Sequence, residues 1–406
     1  MEFQARRRRS ERVAVLFLLA MTLSHAAMVF KLAPSLRAGY QDFTIFYTAG
    51  TMVRTGQASV LYDPVAQYRI EKEFAPDVRI RHAALPYIHS PFEALIFVPF
   101  TFFGYVPAYA LWSALNLAIH VFSLILLRKH FAEIQVLPPA LLGLAAAGFF
   151  PIAIGLIQGQ DTILVLLSIV LAMVLLKDGR DTAAGAALGL GLFKFHFIGP
   201  LALILAMRRP RLLAGFVPIA LLLGGVCIGM VGVQGVVHYV RYVLQLESSG
   251  AGGAIVASDM PNLRGLIASL SGGRLGTRWI MVLTGVCSIA VFLGSLWRVK
   301  KVEESVHRAF ALATVAAILV SYHALPYDLV LVFPAVLVLL AKALREDRSV
   351  NRADVVLLVL FFLTPFYVLL WLRFSQFTWF GLLLAWLLWR LGRSPVAPES
   401  FVAEVT

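Results

Sequence analysis

Long apolar runs recur along the chain, and short clusters of arginine and lysine separate them. About 20 consecutive apolar residues are enough to cross the hydrocarbon core of a bilayer, so runs of this length constrain the chain to membrane-spanning helices. The composition agrees, because 60% of the 406 residues are hydrophobic and only 14% are charged, whereas soluble domains carry about 25% charged residues. A soluble enzyme or binding module is therefore excluded, and we predict an all-α fold, a polytopic bundle of membrane helices.

The apolar runs predict about twelve membrane segments with both chain ends in the cytoplasm. The first run, 13–30, follows four consecutive arginines, Arg6 to Arg9, and basic residues mark the cytoplasmic side of a membrane helix. We interpret this run as an uncleaved anchor, although a signal peptide would have a similar pattern. The remaining runs are 91–103, 105–127, 137–157, 161–176, 183–207, 211–233, 278–298, 304–321, 326–343, 353–371 and 375–390.

Two of these runs do not read as simple membrane helices. The run 91–103 is too short to cross a bilayer, so we expect it to lie on the outer surface. Lys194 and His196 interrupt the run 183–207, and charged groups are costly in lipid, so we predict two half-helices that meet on the outer side. This membrane topology places the following basic loops in the cytoplasm: 128–130, 177–180, 208–211, 298–301, 342–348 and 390–393.

This topology divides the chain into a basic cytoplasmic tail, 1–12, a single membrane domain, 13–391, and a second cytoplasmic tail, 392–406. The membrane domain then has two large outer loops, 34–104 and 235–277, and the first is expected to be helical. Nearly every polar residue that breaks an apolar run falls on the outer side. This asymmetry is more typical of an enzyme at the membrane surface than of a conduit, which needs polar residues along its depth.

The formal charge of +13 does not indicate nucleic acid, because the basic residues lie between apolar runs and no soluble basic surface carries them. The two cysteines, Cys227 and Cys287, have no metal-ligand or disulfide spacing. The chain also lacks a phosphate-binding P-loop, a dinucleotide-binding glycine motif and a His-Glu-x-x-His motif. We therefore predict no metal, no nucleotide cofactor and no nucleic-acid partner, and any activated substrate must come from the membrane.

Asp42 follows the first apolar run and stands among aromatic residues, in Tyr40-Gln41-Asp42-Phe43. A partly desolvated carboxylate has a raised pKa, which suits it to accept a proton from a hydroxyl group. An aspartate in this position is equally suited to begin the helix that Phe43 opens. Both interpretations remain open.

Lys194 and His196 lie among phenylalanines at the break in the run 183–207. A lysine there needs an anionic partner, and the two alternatives are a lipid-borne phosphate or a buried carboxylate such as Asp161. Asp161 and its neighbour Gln160 belong to the turn Gln158-Gly159-Gln160-Asp161, which this topology also places on the outer side.

His323 and Tyr327 lie where one apolar run ends and the next begins. A histidine there can donate to a phosphate oxygen or carry a proton. Asn262 and Arg264 belong to the second outer loop, whose glycine- and serine-rich stretch 248–253 could move as a lid. Arg264 is suited either to clamp a substrate phosphate or to contact anionic lipid headgroups.

Several short motifs together resemble glycosyltransferase family 87, which is also catalogued as a domain of unknown function. Its members resemble the polyprenyl-phosphate-mannose-dependent mannosyltransferases of the GT-C superfamily. The motifs occur in the family's order between about residues 40 and 330: Asp42-Phe43 with Phe46-Tyr47-x-Ala49-Gly50, Gly56, Leu61-Tyr62-Asp63, Tyr87 with Ser90-Pro91-Phe92, Leu111-Trp112 with Leu115-Asn116-Leu117, Gly159-Gln160-Asp161, Gly191-Leu192-Phe193-Lys194 and the turn from His323 to Asp328.

The resemblance implies a GT-C fold with a cavity open to the outer leaflet, a polyprenyl-phosphate sugar as donor, and Asp42 as catalytic base. Lys194 and His323 match positions that resemble donor-phosphate or active-site contacts. The chain departs from the family pattern at Ser90, where a second proline is more usual, at Asp161, where asparagine is common, and at Asn262-Leu263-Arg264, which replaces an Asn-x-Ser pattern.

These observations predict an inverting hexosyltransferase, with mannose as the expected sugar and a lipid or glycan as the acceptor. Asp42 and His323 are the predicted catalytic residues, and the predicted substrate-binding residues are Gln160, Asp161, Lys194, His196, Asn262, Arg264 and Tyr327. We expect it in a bacterial plasma membrane with the site facing the periplasm or exterior. The alternatives are a transporter or lipid flippase, or a ligase of lipid-linked glycans.

Overall fold

The computed structural model describes residues 2–76, 85–249, 256–301, 305–345, 350, 352–374 and 377–393. These residues form α-helices and short 3-10 helices, and no strand occurs among them. The first ten α-helices are α1 (Glu2–Ala38), α2 (Phe43–Arg54), α3 (Pro64–Phe74), α4 (Ala94–Phe97), α5 (Tyr105–His130), α6 (Ala132–Gln135), α7 (Pro139–Ala147), α8 (Phe150–Gln158), α9 (Thr162–Lys177) and α10 (Asp181–Gly189).

The second half of the chain continues in the same way. Its α-helices are α11 (Phe195–Ala206), α12 (Leu212–Ser249), α13 (Leu263–Ser271), α14 (Thr277–Lys301), α15 (Val306–Val320), α16 (Phe333–Leu344), α17 (Arg352–Phe362), α18 (Thr364–Phe374) and α19 (Trp379–Arg393). The 3-10 helices are Ala58–Val60, Pro91–Glu93, Val98–Phe102, Leu192–Lys194, Ala257–Asp259 and Pro326–Val332. The all-α prediction is thus confirmed.

Five stretches of the described residues are long and apolar enough to cross a membrane: Ser10–Arg54, Tyr105–His130, Leu212–Leu246, Thr277–Lys300 and Pro326–Leu344. The number rises to 8 if each of three bent helix pairs counts as one span. Large apolar side chains also face outward, such as Leu221 at 71% exposure, as expected for helices that contact lipid. The chain is therefore a polytopic membrane protein, while the count of twelve segments and their sidedness stay predictions.

The predicted break in the run 183–207 is confirmed, because α10 and the following helical stretch Leu192–Ala206 meet at 69°. The bend comes slightly before Lys194, at Leu190 and Gly191. A Cβ atom on Gly191 would lie 2.6 Å from Ser168 Oγ of α9, so glycine permits this close approach of the chain to its neighbour.

Two further runs, 137–157 and 353–371, are treated as single segments in the sequence analysis, but each contains two helices. The pair α7 and α8 is bent by 59°, and the pair α17 and α18 by 64°. In both pairs a proline, Pro151 or Pro365, stands at the start of the second helix. Proline fits the first turn of a helix and breaks a continuous one, which accounts for both bends.

The buried apolar residues in the described part of the chain form two clusters. The larger one runs through the membrane bundle, from Leu18 to Leu387. The smaller one belongs mainly to the segment 43–112, which the sequence analysis predicts to be largely an outer loop. In this smaller cluster Phe46 of α2 stacks on Phe97 of α4, with ring centroids 4.5 Å apart.

Candidate active site

A cavity of about 90 Å³ lies where the two apolar clusters meet. Its polar and charged lining comes from the residue before α2, the segment before the 3-10 helix Pro91–Glu93, the turn after α8, the break before α11 and the start of that helix, α12 and the turn after α15. Aromatic and apolar side chains complete it. The lining residues are Asp42, Ile45, Leu85, Pro86, Ile88, His89, Gln160, Phe193, Lys194, Phe195, His196, Tyr239, Tyr322, His323, Leu325, Tyr327 and Asp328.

Asp42 immediately precedes α2, but its side chain does not cap the helix. Gln160 Nε2 instead donates to Asp42 Oδ2 at 2.8 Å, and the Asp42 backbone N–H donates to Gln158 Oε1 at 3.0 Å. The carboxylate is half-buried and lines the cavity. Asp42 therefore stands at the start of the helix without capping it through its side chain. Its carboxylate remains available to the cavity.

The turn after α8 fixes the position of Gln160. Gly159 has a left-handed backbone with φ of 64°, and a Cβ atom there would lie only 2.7 Å from Phe43 Cβ. Its carbonyl oxygen accepts a hydrogen bond from Trp112 Nε1 at 2.8 Å. Glycine is therefore required both for the turn and for its contact with α2, and the turn holds Gln160 next to Asp42.

Lys194 is 3% exposed and is surrounded by acceptors. Its Nζ donates to Asp328 Oδ1 at 2.9 Å and to Gln160 Oε1 at 3.3 Å, and it lies 3.3 Å from Asp161 Oδ1. This is the buried carboxylate pairing that the sequence analysis considers as the alternative to phosphate binding. Because Gln160 also bonds Asp42, the lysine and the candidate base belong to one hydrogen-bond network.

Asp328 joins the turn after α15 to this network. Its Oδ1 accepts from Thr162 Oγ1 at 2.9 Å as well as from Lys194, and its Oδ2 accepts from the backbone N–H of Leu325 at 2.8 Å. Asp328 ends the turn that begins at His323 and is not among the predicted site residues, but the structure makes it the principal partner of Lys194.

Two of the histidines that line the cavity come from different elements and lie near each other. His196 of α11 and His323 of the turn after α15 have ring centroids 6.4 Å apart, and both line the cavity together with Tyr322 and Tyr327. The Tyr327 side chain lies next to Asp42. Six of the nine predicted site residues therefore line one cavity: Asp42, Gln160, Lys194, His196, His323 and Tyr327.

The other three predicted residues lie behind the cavity wall. Asp161 is fully buried beside Lys194. Asn262 begins α13 by accepting from the Gly265 backbone N–H, and its Nδ2 donates to the Ser321 carbonyl oxygen. Arg264 Nη1 donates to the Tyr322 carbonyl oxygen at 3.2 Å. Asn262 and Arg264 thus hold the turn that carries His323, and most of the predicted lid stretch 248–253 lies outside the described residues.

The sequence analysis does not predict His89 and Glu93 as site residues. His89 lines the cavity, and its Nδ1 lies 2.8 Å from Oε1 of Glu93, which is fully buried. Burial raises the pKa of Glu93 to about 8 and lowers that of His89 to about 4. The four-residue spacing of a histidine and a glutamate next to Ser90-Pro91-Phe92 was the only signal that the sequence offered.

The fold and this cavity define a polytopic membrane protein with two carboxylates, three histidines and aromatic side chains around one site. Among known protein families, the model of glycosyltransferase family 87 matches residues 87–326, more than half of the chain. The chain belongs to this family and is a glycosyltransferase, which confirms the predicted resemblance. Asp42 precedes the matched region, whereas His89, Gln160, Lys194 and His323 lie within it. No curated protein and no solved structure matches the chain.

Proposed function

We propose that this glycosyltransferase moves a hexose, with mannose as the first candidate, from a polyprenyl-phosphate donor to a lipid or glycan acceptor. The observation that carries the proposal is the Asp42 carboxylate, which lines the cavity and is held there by Gln160. A cavity in a membrane protein is well suited to a donor that enters from the bilayer. We place the protein in a bacterial plasma membrane, with the cavity on the periplasmic or exterior side.

The proposed reaction inverts the anomeric carbon in a single displacement. The acceptor oxygen attacks that carbon while its proton passes to Asp42, and the bond between the sugar and the phosphate oxygen breaks. The electron pair of that bond leaves with polyprenyl phosphate. Because phosphate is a weak base, its departure needs no general acid, so one carboxylate is enough where a glycosidase needs two.

The leaving phosphate needs hydrogen-bond donors that are already oriented toward it. His196 and His323 are suited to this role, since both face the cavity from elements on the side of Lys194. Lys194 contributes positive charge at the wall while it remains paired with Asp328. Arg264, which bonds the Tyr322 carbonyl oxygen, is assigned the supporting role of fixing the His323 turn.

Aromatic side chains in the cavity support a sugar as the substrate. Tyr239, Tyr322 and Phe193 provide apolar ring faces beside polar groups, the combination of apolar surface and a few placed polar atoms that small-molecule sites use. Membership in a glycosyltransferase family favours this enzyme over the transporter alternative.

We expect the purified protein, reconstituted with a lipid acceptor extract, to transfer label from polyprenyl-phosphate mannose. It should not transfer label from a nucleotide sugar when polyprenyl phosphate is absent, because the proposed donor is lipid-linked. Polyprenyl-phosphate glucose serves as the matched control for the sugar. Transfer from the nucleotide sugar in lipid-free conditions would contradict the donor class, and faster transfer from the glucose donor would replace mannose but retain the donor class.

A further inference from the structure

A second cluster of polar side chains lies directly behind the cavity wall. One ligand atom each from His89, Glu93 and Asp161 falls within 4.8 Å of the other two. Glu93 and Asp161 are both 0% exposed, and His89 is half-buried. The two carboxylates come from separate elements, the 3-10 helix Pro91–Glu93 and the turn before α9.

The oxygen atoms of this cluster lack the hydrogen bonds that buried carboxylates require. None of the four oxygens of Glu93 and Asp161 accepts a hydrogen bond from an N–H or O–H donor among the described residues, and the two carboxyl groups lie within hydrogen-bond reach of each other. His89 Nδ1 is close to Glu93, and Lys194 is close to Asp161, but both approaches are ion-pair distances without hydrogen-bond geometry. Buried polar atoms are nearly always satisfied, so the two carboxyl groups need either a proton that they share or a cation between them.

The surrounding charges point to a cation. The hydrogen-bond network contains the carboxyl groups of Asp42, Asp161 and Asp328, and Glu93 adds a fourth. Among the described residues, Lys194 is the one lysine or arginine of this network. The His89 ring nitrogen that belongs to the cluster is an ordinary ligand for a divalent metal ion.

We propose that His89, Glu93 and Asp161 bind one divalent first-row metal ion, of the Mn²⁺ or Zn²⁺ class. Carboxylate oxygens suit Mn²⁺ and imidazole suits Zn²⁺, so a site with two oxygens and one nitrogen fits these ions better than Mg²⁺ or Ca²⁺. Ligand atoms about 2.0–2.2 Å from an ion lie at most about 4.4 Å apart, so small side-chain adjustments close the site.

Such an ion would offset the two buried negative charges and fix the His89 ring where it lines the cavity. It would touch none of the atoms that react in the proposed transfer, so the inference does not depend on the identity of the donor. This metal site departs from the prediction of no metal that the sequence motifs give.

The test is the metal content of the full-length protein, purified without chelators and with any affinity tag removed. We expect about one Mn²⁺ or Zn²⁺ ion per chain in the wild type by plasma mass spectrometry, and a reduction of at least tenfold in Glu93→Gln. The matched control is Glu71→Gln, since Glu71 is a buried glutamate of the same segment outside the cluster, and this variant should retain the ion.

A second measurement makes the result independent of metal loss during purification. After chelator treatment, added Mn²⁺ or Zn²⁺ should raise the unfolding midpoint of the wild type and of Glu71→Gln but not that of Glu93→Gln. If Glu93→Gln does not fold, His89→Gln takes its place with both readouts. A wild type with neither bound metal nor a shift in midpoint would overturn the proposal and indicate that the carboxyl pair shares a proton. The proposal would also be overturned if the wild type and Glu93→Gln had equal metal content, or if both glutamate variants lost the ion.

Discussion

Asp42→Asn is expected to reduce the turnover of sugar transfer by about two to four orders of magnitude, the range that a positioned general base contributes. Asparagine has the same shape as aspartate, and its carbonyl oxygen can still accept the hydrogen bond that Gln160 Nε2 donates. The substitution therefore removes the proton acceptor and leaves its position intact. Turnover should fall much more than the apparent affinity for the donor changes.

Asp63→Asn provides the matched control, because Asp63 lies in the same segment and has a purely structural hydrogen bond. Its side chain begins α3 by accepting from the Val65 backbone N–H at 2.9 Å, and asparagine is an equally good first residue of a helix. This variant should transfer sugar at the wild-type rate. Wild-type turnover in Asp42→Asn would exclude Asp42 as the base.

Lys194→Met is expected to destabilise the protein by about 3–5 kcal/mol, the usual cost of removing one partner of a buried ion pair. The substitution leaves Asp161 and Asp328 without the cation that lies 3.3 Å and 2.9 Å from them. Lys194→Arg keeps the charge and should lose less. The measurement is the unfolding midpoint in detergent or lipid discs, and Lys129→Met, at an exposed lysine, should leave it unchanged.

The same network allows a more demanding comparison. If the cost arises from unpaired negative charge, adding Asp328→Asn to Lys194→Met should recover part of the lost stability, since one of the two buried charges is then gone. Contacting residues of one network are expected to show such coupling. A double variant no more stable than Lys194→Met alone, or a Lys194→Met variant as stable as Lys129→Met, would show that the pairing contributes little.

The sequence predicted the class of fold because apolar runs and basic loops report directly on membrane helices. It also located the break before Lys194, where charged residues interrupt an apolar run. The bends at Pro151 and Pro365 were not predicted, although proline was visible, because a proline in an apolar run is compatible with either a kink or a new helix.

The candidate site was predictable where a polar residue stands out against apolar neighbours. Asp42, Lys194, His196 and His323 were found in this way, and all line the cavity. The partner of Lys194 was not decided, because Asp328 lies far away in the sequence and only the fold brings the two together.

Glu93 was missed for a different reason. Glutamate is almost always exposed unless it is paired, and nothing in its local sequence indicates that Glu93 is fully buried. Because of its charge, Arg264 was interpreted either as a phosphate clamp or as a contact for anionic lipid headgroups. Its hydrogen bond to the Tyr322 carbonyl oxygen was not predicted, because it depends on how α13 packs against the turn.

The most direct test of the account is an experimental structure with a bound, non-reactive polyprenyl-phosphonate mannose analogue. The account predicts that the sugar occupies the cavity lined by Asp42, His196 and His323, with the phosphonate toward the two histidines. The Asp42 carboxylate should lie within hydrogen-bond reach of the place that the acceptor hydroxyl takes opposite the leaving group. An analogue bound at another surface, or a sugar with its phosphonate next to Asp42, would contradict the account.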